Sequence, residues 1–141
     1  PHMTASRESH PPHPFWPQID ALLQPWRTND IAAIAGTFAE DGVLHSMMGT
    51  PIRGRASLRK VLGKHLAHIV KIAFEIRSIA INGDVLVLER VDHITTPLGL
   101  HSLPVVGVIE LRDGLIQAWR EYFDSAQAAS ALAASKAGDP A

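Results

Sequence analysis

Two segments decide the fold of this chain: LVLERVDHI at residues 86–94 and LIQAWREYFD at residues 115–124. Both are rich in β-branched, aliphatic and aromatic residues, which favour strands. Each follows a turn signal, NGD at residues 82–84 and RDG at residues 112–114. The sequence therefore predicts two β-strands that are each entered from a tight turn.

Charged side chains interrupt the apolar pattern of these strands. Because side chains alternate between the two faces of a strand, Leu88, Arg90 and Asp92 share one face of the first. By the same rule, Trp119 and Glu121 share one face of the second. If the two faces meet, an arginine lies between two carboxyl groups among apolar and aromatic neighbours. An unpaired buried charge is costly, so the three charged groups must then satisfy one another.

Helices are expected before these strands. Apolar residues recur at three- and four-residue spacings, which predicts helices at residues 15–26, 30–38 and 55–69. Pro25 should bend or end the first helix, and Asn29 is the expected N-cap of the second. EDG at residues 40–42 should stop the second helix.

The remaining segments have the composition of strands. Strands are expected at residues 42–48, 52–54, 74–81, 85–95, 103–111 and 115–123. The connection at residues 96–102 is longer, and we expect a loose loop there at the rim of a pocket. Helices followed by a long antiparallel meander indicate an α+β fold. Long strands curl, so helices over one face of the sheet should leave a cone with an inner cavity.

Length and composition limit the domain organisation. With 141 residues, 46% of them hydrophobic, the chain can form one domain with a sizeable core. We expect this domain at residues 15–125. Residues 1–14 are polar and proline-rich and should form a flexible or draped arm, in which PHM at residues 1–3 resembles a cloning remnant before a natural Met3 start. Residues 126–141 form an Ala/Ser-rich tail.

The charge balance and the absence of cysteine narrow the function classes. Thirteen basic and 14 acidic residues leave a net charge of −1, which predicts neither a nucleic-acid surface nor an acidic tail. No apolar run approaches the roughly 20 residues needed to cross a membrane. Without cysteine, the chain has no disulfide, thiol nucleophile or thiolate metal site. The absence fits a reducing compartment, so we expect a cytoplasmic location.

Two histidine pairs are candidates for metal ligands. His10 and His13 lie in the proline-rich arm without further partners. His65 and His68 can share a helix face, but no carboxylate joins them there. We therefore expect no metal site.

The arginine and the two carboxyl groups could divide acid and base roles. Burial and neighbouring charges push carboxyl pKa values apart, so one group can donate a proton while the other takes one from water. The planar guanidinium of Arg90 is suited to bridging both carboxyl groups. The opening of an epoxide by water needs such a pair. From the residues alone, a structural ion pair across neighbouring strands, or charges that guard a strand edge, explains the same pattern.

Residues 85–124 resemble the limonene-1,2-epoxide hydrolase family. The resemblance rests on ERVD at residues 89–92, PVVGVIEL at residues 104–111 and WREYFD at residues 119–124, and it extends more loosely through residues 38–55. It implies a curved, mostly antiparallel six-stranded sheet with three or four helices around a deep apolar pocket. It also implies catalysis without a metal, a cofactor or a covalent intermediate.

The resemblance assigns roles to individual residues. Arg90 matches the family's bridging arginine, Asp92 its general acid and Glu121 its general base. Trp119 matches a pocket-wall residue, and Leu88, on the same face as Arg90, is expected to contact substrate. The family base is usually aspartate, so Glu121 is one methylene longer. The attacking water must then sit elsewhere, or the strand must shift.

The family orients its water with a tyrosine and an asparagine two residues apart. An ungapped match puts Leu44 and Ser46 at these positions, with His45 between them. Leu44 cannot hydrogen-bond water, whereas Ser46 can. His45 can do so only if the strand register slips by one residue.

Three functions therefore fit the sequence. The first is an epoxide hydrolase acting on a small hydrophobic epoxide, the second an isomerase or cyclase acting on a polyketide- or steroid-like skeleton, and the third a binding module with an inert ion cluster. A homodimer through the outer face of the sheet is also expected. This expectation rests on apolar residues predicted on that face: Val87, Val91, Val105, Ile109 and Leu111.

Overall fold

A computed structural model of the chain describes residues 7–129. Its elements are α1 (Trp16–Arg27), α2 (Ile31–Gly36), β1 (Phe38–Ser46), β2 (Ile52–Arg53), α3 (Arg55–His65), β3 (Lys71–Asn82), β4 (Val85–Thr96), β5 (Gly99–Arg112) and β6 (Leu115–Phe123). Residues 125–129 are also helical. The expected cloning remnant and most of the expected C-terminal tail lie outside the described residues.

The six strands form one sheet in the order β2-β1-β6-β5-β4-β3. Neighbouring strands are antiparallel, except that β1 and β6 run parallel. The helices pack on one face of the sheet, which we call the inner face, and the opposite face is the outer face. The core between helices and sheet contains Leu23, Ile34, Phe38, Leu58, Leu88, Ile109, Ile116 and Trp119. The predicted α+β fold with a mostly antiparallel six-stranded sheet is confirmed.

Asp30 caps α2, and Asn29 contacts the segment that follows α3. Asp30, rather than the predicted Asn29, is the N-cap of α2, and its carboxylate accepts a hydrogen bond from the backbone N–H of Ala33 at 3.0 Å. Asn29 has a left-handed φ of 52°, and its side-chain amide donates to the carbonyl oxygens of Leu66 and Ile69. Both carbonyls follow α3, which ends at His65, earlier than predicted, and the Leu66 carbonyl also accepts a hydrogen bond from the backbone N–H of Ile69 at 3.1 Å.

The second helix is also shorter than predicted at its C-terminal end. It ends at Gly36, and Phe38 already belongs to β1, where it pairs with Ile116 of β6. Residues 40–42 therefore lie inside a strand and do not stop a helix. Pairing with β6 has overridden the helical spacing of the apolar residues.

The connection between β4 and β5 is a tight turn, so the prediction of a loose loop at residues 96–102 was wrong. Thr96 pairs with Gly99, and the Thr96 hydroxyl accepts a hydrogen bond from the backbone N–H of Leu98 at 3.2 Å. Gly99 has a φ of 127°, which glycine adopts without strain. Residues 99–102 extend β5 and do not form a pocket rim.

Three of the five apolar residues expected on the outer face lie on the inner face instead: Val105, Ile109 and Leu111. Val105 pairs directly with Arg90, and directly opposed residues share a face. Val87 and Val91 face outward as expected, because they alternate with the inward Arg90 along β4.

The described part of the N-terminal arm contacts the outer edge of β3. The backbone N–H of Ser9 donates to the carbonyl of Phe74 at 3.3 Å, and the Ser9 carbonyl accepts from Ile76 at 2.8 Å. The Glu8 carboxylate accepts from the backbone N–H of Phe74 and, at 2.8 Å, from Nε of Arg27. The division of the chain between arm, domain and tail stays a prediction.

Candidate active site

Two strands place the three charged residues on the inner face. Arg90 and Asp92 are two residues apart on β4, Glu121 lies on β6, and β5 runs between them. Gly107 of β5 pairs with Leu88 on one side and with Glu121 on the other. Since directly opposed residues share a face, Glu121 lies on the same face as Leu88 and Arg90.

A bulge in β6 gives Glu121 this orientation. The register between β5 and β6 shifts by one residue between Glu110 and Leu111, so Gln117 is an extra residue on β6. One extra residue moves all following side chains to the opposite face. Without it, Glu121 would oppose Val106 on the outer face, far from Arg90.

Arg90 forms two hydrogen bonds with each carboxyl group. Its Nε lies 2.7 Å from Oδ1 of Asp92, and its Nη2 lies 3.1 Å from Oδ2. Its Nη1 lies 3.0 Å from Oε2 of Glu121, and Nη2 also donates to Oε1 of Glu121. The guanidinium therefore bridges the two carboxyl groups and fixes the rotamers of both.

Burial makes this cluster electrostatically unusual. The side chain of Arg90 is 2% exposed, against 13% for Asp92 and 17% for Glu121. Burial raises the pKa of Glu121, and although attraction and hydrogen bonds from Arg90 oppose it, that pKa stays above its ordinary value. Burial lowers the pKa of Arg90, but the charges of Glu121 and Asp92 outweigh this effect and raise it overall. The cluster thus holds a permanent cation beside a carboxyl group that binds a proton more readily than usual.

Phe74, which the sequence did not single out, forms part of the aromatic wall. It pairs with Asp92 across β3 and β4, and the guanidinium carbon of Arg90 lies 5.7 Å from its ring centroid. The guanidinium carbon of Arg27 lies at the same distance from that ring. A sequence shows this neighbour only once the register of β3 against β4 is known, since Phe74 and Asp92 are far apart in the chain.

The expected wall residues are buried deeply on the inner face. Trp119 is 2% exposed and packs near the rings of Phe38 and Trp26, with centroids 6.3 and 5.6 Å away. Leu88 is 0% exposed. Leu44 pairs with Trp119 and is part of the core. Leu88 and Leu44 are therefore core residues of the inner face.

Ser46 and His45 lie on opposite faces of β1. Ser46 pairs with Glu121 in the parallel register of β1 and β6 and therefore lies beside it on the inner face. His45 pairs with Arg120, and its Nε2 lies 2.8 Å from the carbonyl oxygen of Gly49. The register does not slip, so the structure does not bring His45 to the site.

An apolar cavity of about 390 Å³ opens between α1 and the turns at residues 83–84 and 113–114. Leu22 and Leu86 are among the residues that line it. Leu86, Leu88 and Arg90 follow one another on the inner face of β4. The fully buried Leu88 therefore separates this cavity from the charged cluster.

Within residues 7–129, no group of three or more His, Asp or Glu side chains is arranged to hold a metal ion. No helix in the same part of the chain combines the length and the hydropathy needed to span a membrane.

Comparisons with known proteins place the chain among cone-shaped α+β proteins. An M. tuberculosis LEH-like epoxide hydrolase is 23% identical, with a TM-score of 0.70 over 86% of this chain and 90% of that one. A putative SnoaL-like polyketide cyclase from Shewanella denitrificans is 13% identical, with a TM-score of 0.75 over 86% and 98%. A protein with a ketosteroid isomerase-like fold from Catenulispora acidiphila is 20% identical, with a TM-score of 0.70 over 84% and 92%. These likenesses show the fold.

A match to a family model over most of the sequence shows the family. The family model described as the limonene-1,2-epoxide hydrolase catalytic domain matches residues 17–134, which include α1 except its first residue, the whole sheet and all three charged residues of the cluster. The chain therefore belongs to the limonene-1,2-epoxide hydrolase family.

Proposed function

We propose that this protein is an epoxide hydrolase that adds water to a small hydrophobic epoxide in one step and gives a vicinal diol. The observation that carries the proposal is the pair of two-pronged contacts from Arg90 to Asp92 and Glu121 on the inner face. Family membership supports the same reaction class.

In the proposed reaction, the two carboxyl groups have opposite roles. Asp92 donates a proton to the epoxide oxygen while the bond from carbon to that oxygen breaks. Glu121 takes a proton from water while the water oxygen bonds to the carbon. Each assisted proton transfer contributes about 10²–10⁴-fold to the rate. A proton then passes from Glu121 to Asp92 and restores the starting state.

The electrostatics of Glu121 and Arg90 fit the roles proposed for these two residues. A raised pKa makes the ionised Glu121 a stronger base than an ordinary carboxylate. Arg90 keeps its positive charge throughout and holds both carboxyl groups in place, so neither has to be reoriented during the reaction. The apolar and aromatic surroundings, such as Phe74 and Trp119, suit an uncharged substrate.

Ser46 is the proposed contact for the attacking water. It lies beside Glu121 on the inner face, and its hydroxyl can both donate and accept a hydrogen bond. Leu44, its neighbour on that face, cannot contribute to water binding and packs in the core.

The fold also supports a second candidate function. The polyketide cyclase-like and ketosteroid isomerase-like neighbours have the same architecture, so an isomerase or cyclase is the alternative. Glu121 would then move a proton between carbon atoms of a polyketide- or steroid-like skeleton, and no water would be added.

The decisive experiment is turnover of styrene, cyclohexene and limonene oxides in ¹⁸O-labelled water. We expect a diol with one labelled oxygen, and a fall in kcat of about 10²–10⁴-fold in Asp92→Asn and in Glu121→Gln. Glu110→Gln is the matched control, because it alters a glutamate that pairs with an arginine on the outer face. Rearranged product without label would favour the isomerase or cyclase, and saturable binding without turnover the inert binding module.

We also propose a homodimer formed through the outer face. Val106 and Tyr122 are 36% and 45% exposed there and border a depression of about 150 Å³ together with Pro104. A sedimentation experiment at micromolar concentration should give twice the mass of the chain, and a monomer would exclude the proposal. The cytoplasmic location stays a prediction.

A further inference from the structure

Gly107 lies where the bridge between Arg90 and Glu121 passes over β5. Arg90 belongs to β4 and Glu121 to β6, so their contact must cross the strand between them. Gly107 is the residue of β5 directly opposite Glu121. The contact between Arg90 and Glu121 therefore crosses β5 at a residue that has no side chain.

A side chain at this position would collide with the cluster. A Cβ atom added to Gly107 would lie 2.5 Å from Nη1 of Arg90, 2.8 Å from Oε2 of Glu121 and 3.3 Å from Nε1 of Trp119. Real Cβ atoms essentially never approach other atoms below 3.0 Å. Two of the three crowded atoms, Nη1 and Oε2, are partners in one hydrogen bond of the bridge.

Among the glycines of residues 7–129, crowding of an added Cβ against charged side chains is particular to Gly107, whereas at Gly42 the nearest atom would be the backbone carbonyl oxygen of Ile116 at 2.7 Å. An added Cβ at Gly36 or Gly63 would meet no atom within 4 Å. Gly99 and Gly114 are needed for their positive φ, whereas Gly107 has no positive φ. The requirement at Gly107 is therefore close approach by other side chains and not backbone conformation.

We propose that Gly107 is a positioning residue, whose bare backbone lets the Arg90 guanidinium cross β5 and join Asp92 to Glu121. The positioning claim concerns the geometry of the cluster alone. Its consequence for turnover rests on the proposed epoxide hydrolase function.

A methyl group at Gly107 would change the protonation of Glu121. The guanidinium and the Glu121 carboxylate must move off the strand, so their contact weakens or breaks. Glu121 then stays buried with less compensation from the cation, which raises its pKa further. A larger share of Glu121 is protonated at neutral pH, and a protonated carboxyl group cannot act as a base.

The test compares Gly107→Ala with Gly63→Ala, a matched change in open space on α3. For Gly107→Ala we expect kcat to fall about 10²-fold, the cost of a displacement of about 1 Å in a catalytic group, with little change in KM. We also expect the acidic limb of the pH profile to move to higher pH. Gly63→Ala should keep both kcat and the pH profile of the wild type.

Two measurements are independent of turnover. The first is a carbon-13 NMR titration of the glutamate carboxyl groups, in which the spectrum of Glu121→Gln identifies the Glu121 signal. In Gly107→Ala, the titration midpoint of Glu121 should move to higher pH. The second compares the drop in Tm caused by Gly107→Ala in the wild type and in Glu121→Ala. If crowding against the bridge is the cause, the drop is smaller in Glu121→Ala.

The outcomes separate the two proposals. If the wild type converts no epoxide but the titration and the Tm difference appear, the proposed function fails and the positioning role of Gly107 stands. If Gly107→Ala keeps the kcat, pH profile and titration midpoint of the wild type, the positioning role is wrong and the function stands. If Gly107→Ala does not fold alone, folding of the double variant with Glu121→Ala supports the role, and its failure contradicts it.

Discussion

Arg120 and Glu121 are consecutive on β6, yet each belongs to a different kind of arginine–glutamate pair. Arg120 points to the outer face and pairs with Glu110 of β5, with side chains 29% and 44% exposed. Glu121 points to the inner face and pairs with Arg90 of β4, with side chains 17% and 2% exposed. The residue types are the same, and only the face of the sheet differs.

The difference in burial decides what each pair can do. On the outer face, water satisfies either partner when the other is lost, so the pair contributes little to stability. On the inner face, water reaches the guanidinium hardly at all, and each charge depends on its protein partners. A pKa above its ordinary value follows for the inner Glu121, which makes that group a candidate for proton transfer.

The largest expected difference in unfolding free energy is between Arg90→Leu and Arg120→Leu. Loss of Arg90 leaves two buried carboxyl groups without their cation, which costs about 3–5 kcal/mol of unfolding free energy. Loss of Arg120 breaks a half-exposed pair and costs at most about 1 kcal/mol. Urea denaturation at neutral pH measures both values. Equal losses in the two variants would contradict the distinction between the faces.

The sequence was sufficient for part of the inner cluster. Arg90 and Asp92 are two residues apart in a segment of clear strand composition, so their shared face follows from alternation alone. The same reasoning could not fix the face of Glu121 relative to Arg90. That relation depends on the bulge at Gln117, which no turn signal or apolar pattern in the sequence marks.

The length of a turn explains the wrong assignment of the outer apolar set. In an antiparallel pair, the number of residues in the turn decides which positions of the second strand share a face with the first. A loose loop at residues 96–102 leaves that number undefined. The tight turn after Thr96 pairs Arg90 with Val105 and so puts Val105 on the inner face.

The sequence carries a signal at Gly107. A glycine inside the strand segment at residues 104–111 weakens the strand, and such a glycine often marks close approach by other groups. The sequence alone does not say which groups approach. Only the register of the strands places Gly107 next to the contact between Arg90 and Glu121.

The smallest expected contrast is the pH dependence of stability in Glu121→Gln and Glu75→Gln. Hydrogen bonds from Arg77 and His93 lower the pKa of Glu75 on the outer face, whereas burial raises that of Glu121. The stability from Glu75 is present above its ordinary value of 4.5 and is lost as the pH falls through its lower folded value. The stability from Glu121 is present below 4.5 and is lost as the pH rises through its higher folded value.

The two glutamine variants should therefore depart from the wild type in opposite directions. As the pH rises toward 4.5, the unfolding free energy of Glu75→Gln should fall relative to the wild type. As the pH rises above 4.5, that of Glu121→Gln should rise relative to the wild type. Urea denaturation at a series of pH values measures both differences. If both variants changed in the same direction, burial would not be the dominant influence on Glu121, and the contrast between the inner and outer glutamates would rest on geometry alone.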